Sequence, residues 1–296
     1  FHSLGCVACH APRDSTAQER QLNQSTPLGE LALKYSLAGL VEFLENPHAV
    51  RPSGRMPNMS LTNRETLDIA AFLLQNAPNS VTHWKTNPDL AENGKQLFMD
   101  ANCSACHQTV LPDSKPPQLP SLAEVNVNKG CLSTATGDWP NYELSDSDRS
   151  AIASSITNPI KELSREQQIS ISLKSFNCIA CHGRGELGGV TKERNPHFKT
   201  TNLNLGDQGR IPPTLSGVGA KLNRNWMRDV LVNARSIRPY MKTRMPQYGE
   251  SNIGHLIDLF QAEDKLPSVE FAKIDNQKEM RELGHRMAGN QGLNCV

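Results

Sequence analysis

Three times along this chain two cysteines stand three positions apart with a histidine directly after the second: CVACH (6–10), CSACH (103–107) and CIACH (178–182). Six of the eight cysteines are used this way: Cys6, Cys9, Cys103, Cys106, Cys178 and Cys181. Cys131 and Cys295 are left over. Positions i and i+3 share one face of a helical turn. Each motif therefore presents two thiols side by side with an imidazole next to them, and any fold of this chain must serve three such clusters.

Three chemistries use paired cysteines. Structural zinc needs four ligands, with one close pair facing another, yet the first cysteines of successive motifs lie 97 and 75 residues apart. A thioredoxin-like C-x-x-C belongs beside a βαβ pattern, and none is visible. C-x-x-C-H reads as a c-type haem attachment site. The two thiols form thioethers with the two vinyl groups of one porphyrin, and the adjacent histidine gives the iron its proximal nitrogen. The expectation is three covalent haem c groups, with His10, His107 and His182 as iron ligands.

Composition agrees with small domains around a bulky apolar cofactor. The 296 residues suffice for two or three domains. A hydrophobic share of 37% and an aromatic share of 5% are lean for one large core. Net charge is +1, so composition gives no general pull toward nucleic acid. No apolar run approaches the roughly 20 residues of a membrane span.

The chain also repeats. After each motif comes a proline, a polar turn and an amphipathic segment: RMPNMSLTNRETLDIAAFLL (55–74), DWPNYELSDSDRSAIASSI (138–156) and RMPQYGESNIGHLIDLF (244–260). Thr62 with Glu65 and Ser145 with Asp148 have capping-box spacing. KYSLAGLVEFLENPHAVRPSGRMP (34–57) aligns with KLNRNWMRDVLVNARSIRPYMKTRMP (221–246). The order haem motif, loop, short helix, Met-Pro, terminal helix thus occurs twice in full.

This order resembles class I cytochrome c, a small all-α domain wrapped around one covalent haem. The RPxxxRMP-type phrasing is also similar to cytochrome c modules of large secreted proteins of planctomycete-type bacteria. The resemblance implies an all-α fold of three tandem domains. It implies Met56 and Met245, each before its proline, as sixth iron ligands beside His10 and His182. Met59 competes with Met56 but aligns with Tyr142 and Tyr248, a packing position. The resemblance also implies a periplasmic or extracellular location, where haem c is attached.

The middle repeat departs from the pattern. Its methionine position is Trp139, whose indole offers only a donor. From Leu122 to Trp139 is 17 residues against 30 from Leu215 to Met245, so the short middle helix is missing. The sixth ligand of that haem is left among His48, His83, His197, His255, Cys131, Tyr142 or an open position.

The expected layout is 1–86, 87–160 and 161–274 for the three cytochrome c domains, with 275–296 opening a fourth segment. Residues 76–90 and 262–275 read as linkers. Residues 183–213 form a Gly- and Pro-rich loop expected at a haem edge or against a neighbouring module. The helix that precedes Cys103 has no counterpart before Cys6, so the chain is expected to start inside it. Asn294-Cys295 repeats Asn102-Cys103 and Asn177-Cys178, so a fourth motif is expected to continue after Val296.

The function expected from these observations is one-electron transfer through a chain of three haems between redox protein partners, with no nucleic acid and no membrane span. Three alternatives stand beside it. One is a peroxidase-like or small-ligand-binding enzyme using the methionine-less middle haem. Another is the electron-accepting subunit of a larger dehydrogenase. The third is a wire assembled from repeats, with other cytochrome chains as partners.

Overall fold

The computed structural model describes all residues except 14–17, 21, 23–24, 76–84, 102, 106–119, 136, 138, 140–141, 160–161, 269, 271–274 and 296. The described chain is helical. Its one sheet is a hairpin of two-residue strands, Gly183–Arg184 (β1) and Leu187–Gly188 (β2). The all-α class expected from the sequence holds.

In the first module, Leu37–Glu45 (α1) begins where the Ser36 hydroxyl accepts the Gly39 N–H, satisfying one of the free donors of a first turn. Asn46 ends α1, and Pro47 starts the single turn Pro47–Val50 (α2), proline being suited to a first helical position. Asn63–Leu74 (α3) carries the expected capping box: Thr62 Oγ1 accepts the Glu65 N–H while the Glu65 carboxylate accepts the Thr62 N–H. α1 packs on α3. Leu31, Leu40, Leu44, Ile69, Ala70 and Leu73 are buried between them, with Phe1, Leu4, Met56 and Phe72 at the edge.

The second module packs far less. Pro88–Asp100 (α4) starts at Pro88, three residues inside the expected linker, because Asn87 Oδ1 accepts the N–H groups of Asp89 and Leu90. Asp146–Thr157 (α5) has the expected Ser145–Asp148 capping box. Neither helix buries a residue. Leu90, Leu97, Leu122 and Ile152 stay exposed, and Leu132 is the one buried residue between α4 and α5 among those described. The physical reason lies in the missing middle helix: α1 supplies Leu40 and Leu44 to the first core, and the described part of the second module holds no α-helix between α4 and α5.

The third module packs best. Arg165–Ser175 (α6) is capped by Ser164 with Gln167. The single turn Val218–Lys221 (α7) and Arg224–Leu231 (α8) follow the long loop. Glu250–Ile253 (α9) and His255–Glu263 (α10) close the module. α10 packs against α6, α7 and α8. Ile169, Leu173, Met227, Tyr248, Ile253, Leu256, Ile257 and Phe260 form the core. At Gly219 an added Cβ would lie 1.9 Å from the Phe260 carbonyl oxygen, so only glycine lets α7 approach α10 this closely. Below that contact Arg184, 8% exposed, bonds Asp264 (2.9 Å), Glu166 (2.8 Å) and the Leu215 carbonyl (2.9 Å). Gln277–Ala288 (α11) matches the helical run expected there but buries nothing.

The first and third modules touch each other. Asn58 and Gln247 exchange backbone hydrogen bonds, both 2.9 Å. Arg244 binds the Glu65 carboxylate at 2.6 Å. The long loop after the third motif does reach a neighbouring module: Arg194 Nε donates to the Val7 carbonyl (2.9 Å), and His197 stacks on His2.

Candidate haem-attachment sites

Each motif folds as one 3-10 turn: Cys6–Ala8, Cys103–Ala105 and Cys178–Ala180. In the first and third the geometry is the same. The second cysteine's N–H bonds the first cysteine's carbonyl (3.2 Å in both), and the histidine N–H bonds that same carbonyl (2.9 Å in both). The chain enters each turn through a left-handed residue, Gly5 (φ 106°) or Asn177 (φ 52°), a conformation that glycine and asparagine tolerate best. Both thiols of each pair are thereby held on one short arc with the imidazole beside them.

The histidines are oriented by backbone carbonyls. His10 Nδ1 lies 3.0 Å from the Thr26 oxygen, and His182 Nδ1 lies 2.6 Å from the Pro213 oxygen. A carbonyl only accepts, so each Nδ1 carries the proton and each Nε2 keeps a free lone pair. Burial lowers both imidazole pKa values, against the carbonyl bonds that raise them. Both rings are therefore neutral at neutral pH. A neutral imidazole with Nδ1–H donated and Nε2 open is the arrangement of a metal-ligating histidine.

The thiols argue against redox exchange. Burial, reinforced by the nearby Cys9, pushes Cys178 up to about 11 and Cys181 up to about 12. Cys6 is raised as well, again by burial. Reactive C-x-x-C thiols are shifted the other way, toward the thiolate. No disulfide joins the described cysteines. Nor do three His, Cys, Asp or Glu side chains gather among the described residues as a zinc site would require.

Met56 sits partly buried at the edge of the first core, and Met245 is 36% exposed. Met59 is buried, like its counterpart Tyr248, and lies near Gly5. Tyr248 donates its hydroxyl to the Phe176 carbonyl (2.7 Å), tying the Met245 turn to the end of α6.

Of the second site, Cys103 is described and half-buried, while Cys106 and His107 lie outside the described residues, as does His83. His255 is bonded to Ser172, and His197 is stacked on His2, so both are engaged within the first and third modules. His48 is half-buried on α2, with a buried Nε2 that has no partner. Cys131, Trp139 and Tyr142 are exposed. A cavity of about 610 Å³ opens between the turn Leu122–Glu124 and α5, lined by Leu122, Ala123, Ala151, Ile152, Ile156 and Pro159.

Sequence reasoning missed Thr26 and Pro213 as orienting carbonyls. PSL (120–122) and PTL (213–215) stand at equivalent places in the second and third repeats, and the first residue of PTL is the acceptor.

Residues 91–167 match the family model for cytochrome c. The match spans the second motif, α5 and the start of α6, just over a quarter of the chain. It supports a c-type cytochrome that transfers electrons through covalently bound haem c with iron, and so redox protein partners. No curated protein and no solved structure gives a match.

Proposed function

We propose that this chain is an extracytoplasmic multihaem cytochrome that carries electrons one at a time between redox proteins, with three haem c groups. The first would be held by Cys6, Cys9 and His10, the second by Cys103, Cys106 and His107, and the third by Cys178, Cys181 and His182. Met56 and Met245 would complete the first and third iron sites. When bound, each haem supplies a one-electron couple whose potential depends on its axial ligands and on the hydrogen bonds around them.

The observation that carries this reading is the paired histidine geometry. Two motifs 172 residues apart in sequence commit Nδ1 to a carbonyl and leave Nε2 free in the same way. Each carbonyl fixes its ring's tautomer and orientation and makes the free nitrogen a better donor. Each methionine precedes its proline at a corresponding place in the repeat, ahead of α3 in the first module and of α9 and α10 in the third. In the second module the largely apolar cavity beside Leu122 would be available to a porphyrin face. By the repeat, the Pro120 carbonyl is the counterpart of those at Thr26 and Pro213.

The test is a haem count. The chain is produced with a c-type maturation system, and its alkaline pyridine spectrum and intact mass are measured. The expected result is three covalent haems per 32.6 kDa chain. Fewer than three, or retained zinc in place of haem, overturns the reading. Electron paramagnetic resonance then assigns the ligands: histidine–methionine signals from the first and third sites and a different signal from the second.

A further inference from the structure

The contact between the first and third modules is centred on a pair of equivalent residues. Asn58 and Gln247 each lie two residues after their own methionine, and they pair with each other through two reciprocal backbone bonds. The two Met-Pro turns thus meet at one antiparallel pair, and the side-chain contacts around it run from the third module onto the first.

The attachment motifs meet on the same interface. Asn177, the residue just before Cys178, donates its side-chain amide to Cys9 Sγ (3.2 Å) and toward the Ala8 carbonyl (3.4 Å). In the loaded protein that sulfur is a thioether. Val7 and Ala8, between the first pair of cysteines, are 1% and 5% exposed, yet they belong to neither hydrophobic core. The third module covers them: Arg194 Nε donates to the Val7 carbonyl, and its Nη2 donates to Ser25. Gly5 lies so close to Thr243 that an added Cβ would meet its methyl at 2.9 Å. Around this centre Arg244 N–H donates to the Leu4 carbonyl, and Asn252 donates to the Pro52 carbonyl.

We propose that the first and third attachment motifs are two halves of one two-centre unit, clamped across this interface with Asn177 as a positioning residue. Two motifs that lie 172 residues apart in the chain are therefore neighbours in space. This rests on the reading above only in taking the thiols as haem attachment points.

The test cuts the chain without discarding any of it. Specific protease sites are placed in the full-length loaded protein, one within 79–82 and one at 160–161, and the cleaved protein is passed over a sizing column. The expected result is that the first and last fragments elute together. Elution of the first fragment alone, or with the middle one but without the last, overturns the proposal. Asn177→Gly keeps the left-handed backbone that Gly5 uses in the first motif but removes the amide. It should weaken association of the first and last fragments about tenfold and shift the potential of the first centre, with the melting of the isolated last fragment unchanged. Unaltered association and potential would remove Asn177 from the clamp. Size and mass read the interface whether or not every motif carries haem, so failure here is distinct from failure of the haem count.

Discussion

Replacing Arg184 by methionine should be among the most damaging single changes to the third module. The guanidinium is 8% exposed, as is its partner Asp264, while Glu166 is 51% exposed. Methionine keeps length and apolar volume but leaves Asp264 buried with the Gly219 N–H (2.8 Å) as its remaining bond, and it strips a donor from the Leu215 carbonyl. Breaking a buried pair by removing one partner costs about 3–5 kcal/mol. The half-exposed Glu166 arm adds at most about 1 kcal/mol. Stacking over the Phe260 ring at 5.4 Å contributes about as much again, partly replaced by the methionine. These terms share one side chain and do not add fully, so the expected loss is about 3–4 kcal/mol. The assay is urea unfolding of the full chain followed by far-UV circular dichroism, with the double variant Arg184→Met/Asp264→Leu as control. The double variant should regain at least half of the loss, because no uncompensated charge remains. A single-variant loss below about 1 kcal/mol, or a double variant no better than the single, would refute the reasoning.

Three further outcomes are expected. The Thr62 N–H first, then Arg244, holds the Glu65 carboxyl below its ordinary value of 4.5, against the opposing effect of burial. A depressed carboxyl pKa gives stability that is present above the unfolded value and lost as pH falls through the folded one. Association of the cleaved first and last fragments should therefore weaken below about pH 4.5, and Glu65→Gln should flatten that dependence in a pH series on the sizing column. Met56→Leu and Met245→Leu should each lower one midpoint in a potentiometric titration, since methionine ligation raises a haem's potential, while changing stability by less than about 1.5 kcal/mol; unchanged midpoints would exclude these methionines as ligands. Gly219→Ala drives a methyl onto the Phe260 carbonyl and should cost about 3 kcal/mol or more in the same urea assay, well above the roughly 1 kcal/mol typical of point variants.

Local chemistry was legible in the sequence. The capping boxes at Thr62 and Ser145, the helix before Cys178 and the run that forms α11 all follow from signals within one or two turns. The shortened spacing from Leu122 to Trp139 agrees with the lack of an α-helix between α4 and α5 among the described residues, and the exposure of Leu90, Leu97 and Leu122 goes with it. What could not be read joins distant residues. The partners of Asn177 and Arg244 lie 168 and 179 positions away, and nothing in the local pattern of either residue marks the partner. Repeat alignment pairs equivalent residues but does not say that Asn58 and Gln247 touch. Arg184 sits in a stretch that reads as glycine-rich loop, so its role as the buried pivot of the third module emerges only when α10 brings Asp264 to it.

On the haem-attachment reading proposed above, the burial of Val7 and Ala8 would order the events of maturation. Contacts far apart in sequence form late, and those over the first motif come from residues beyond 170. Arg194 and Asn177 bond the turn that carries Cys6 and Cys9. Haem attachment at the first motif would then precede docking, and closure of the third module onto the first would act as a seal over the loaded turn.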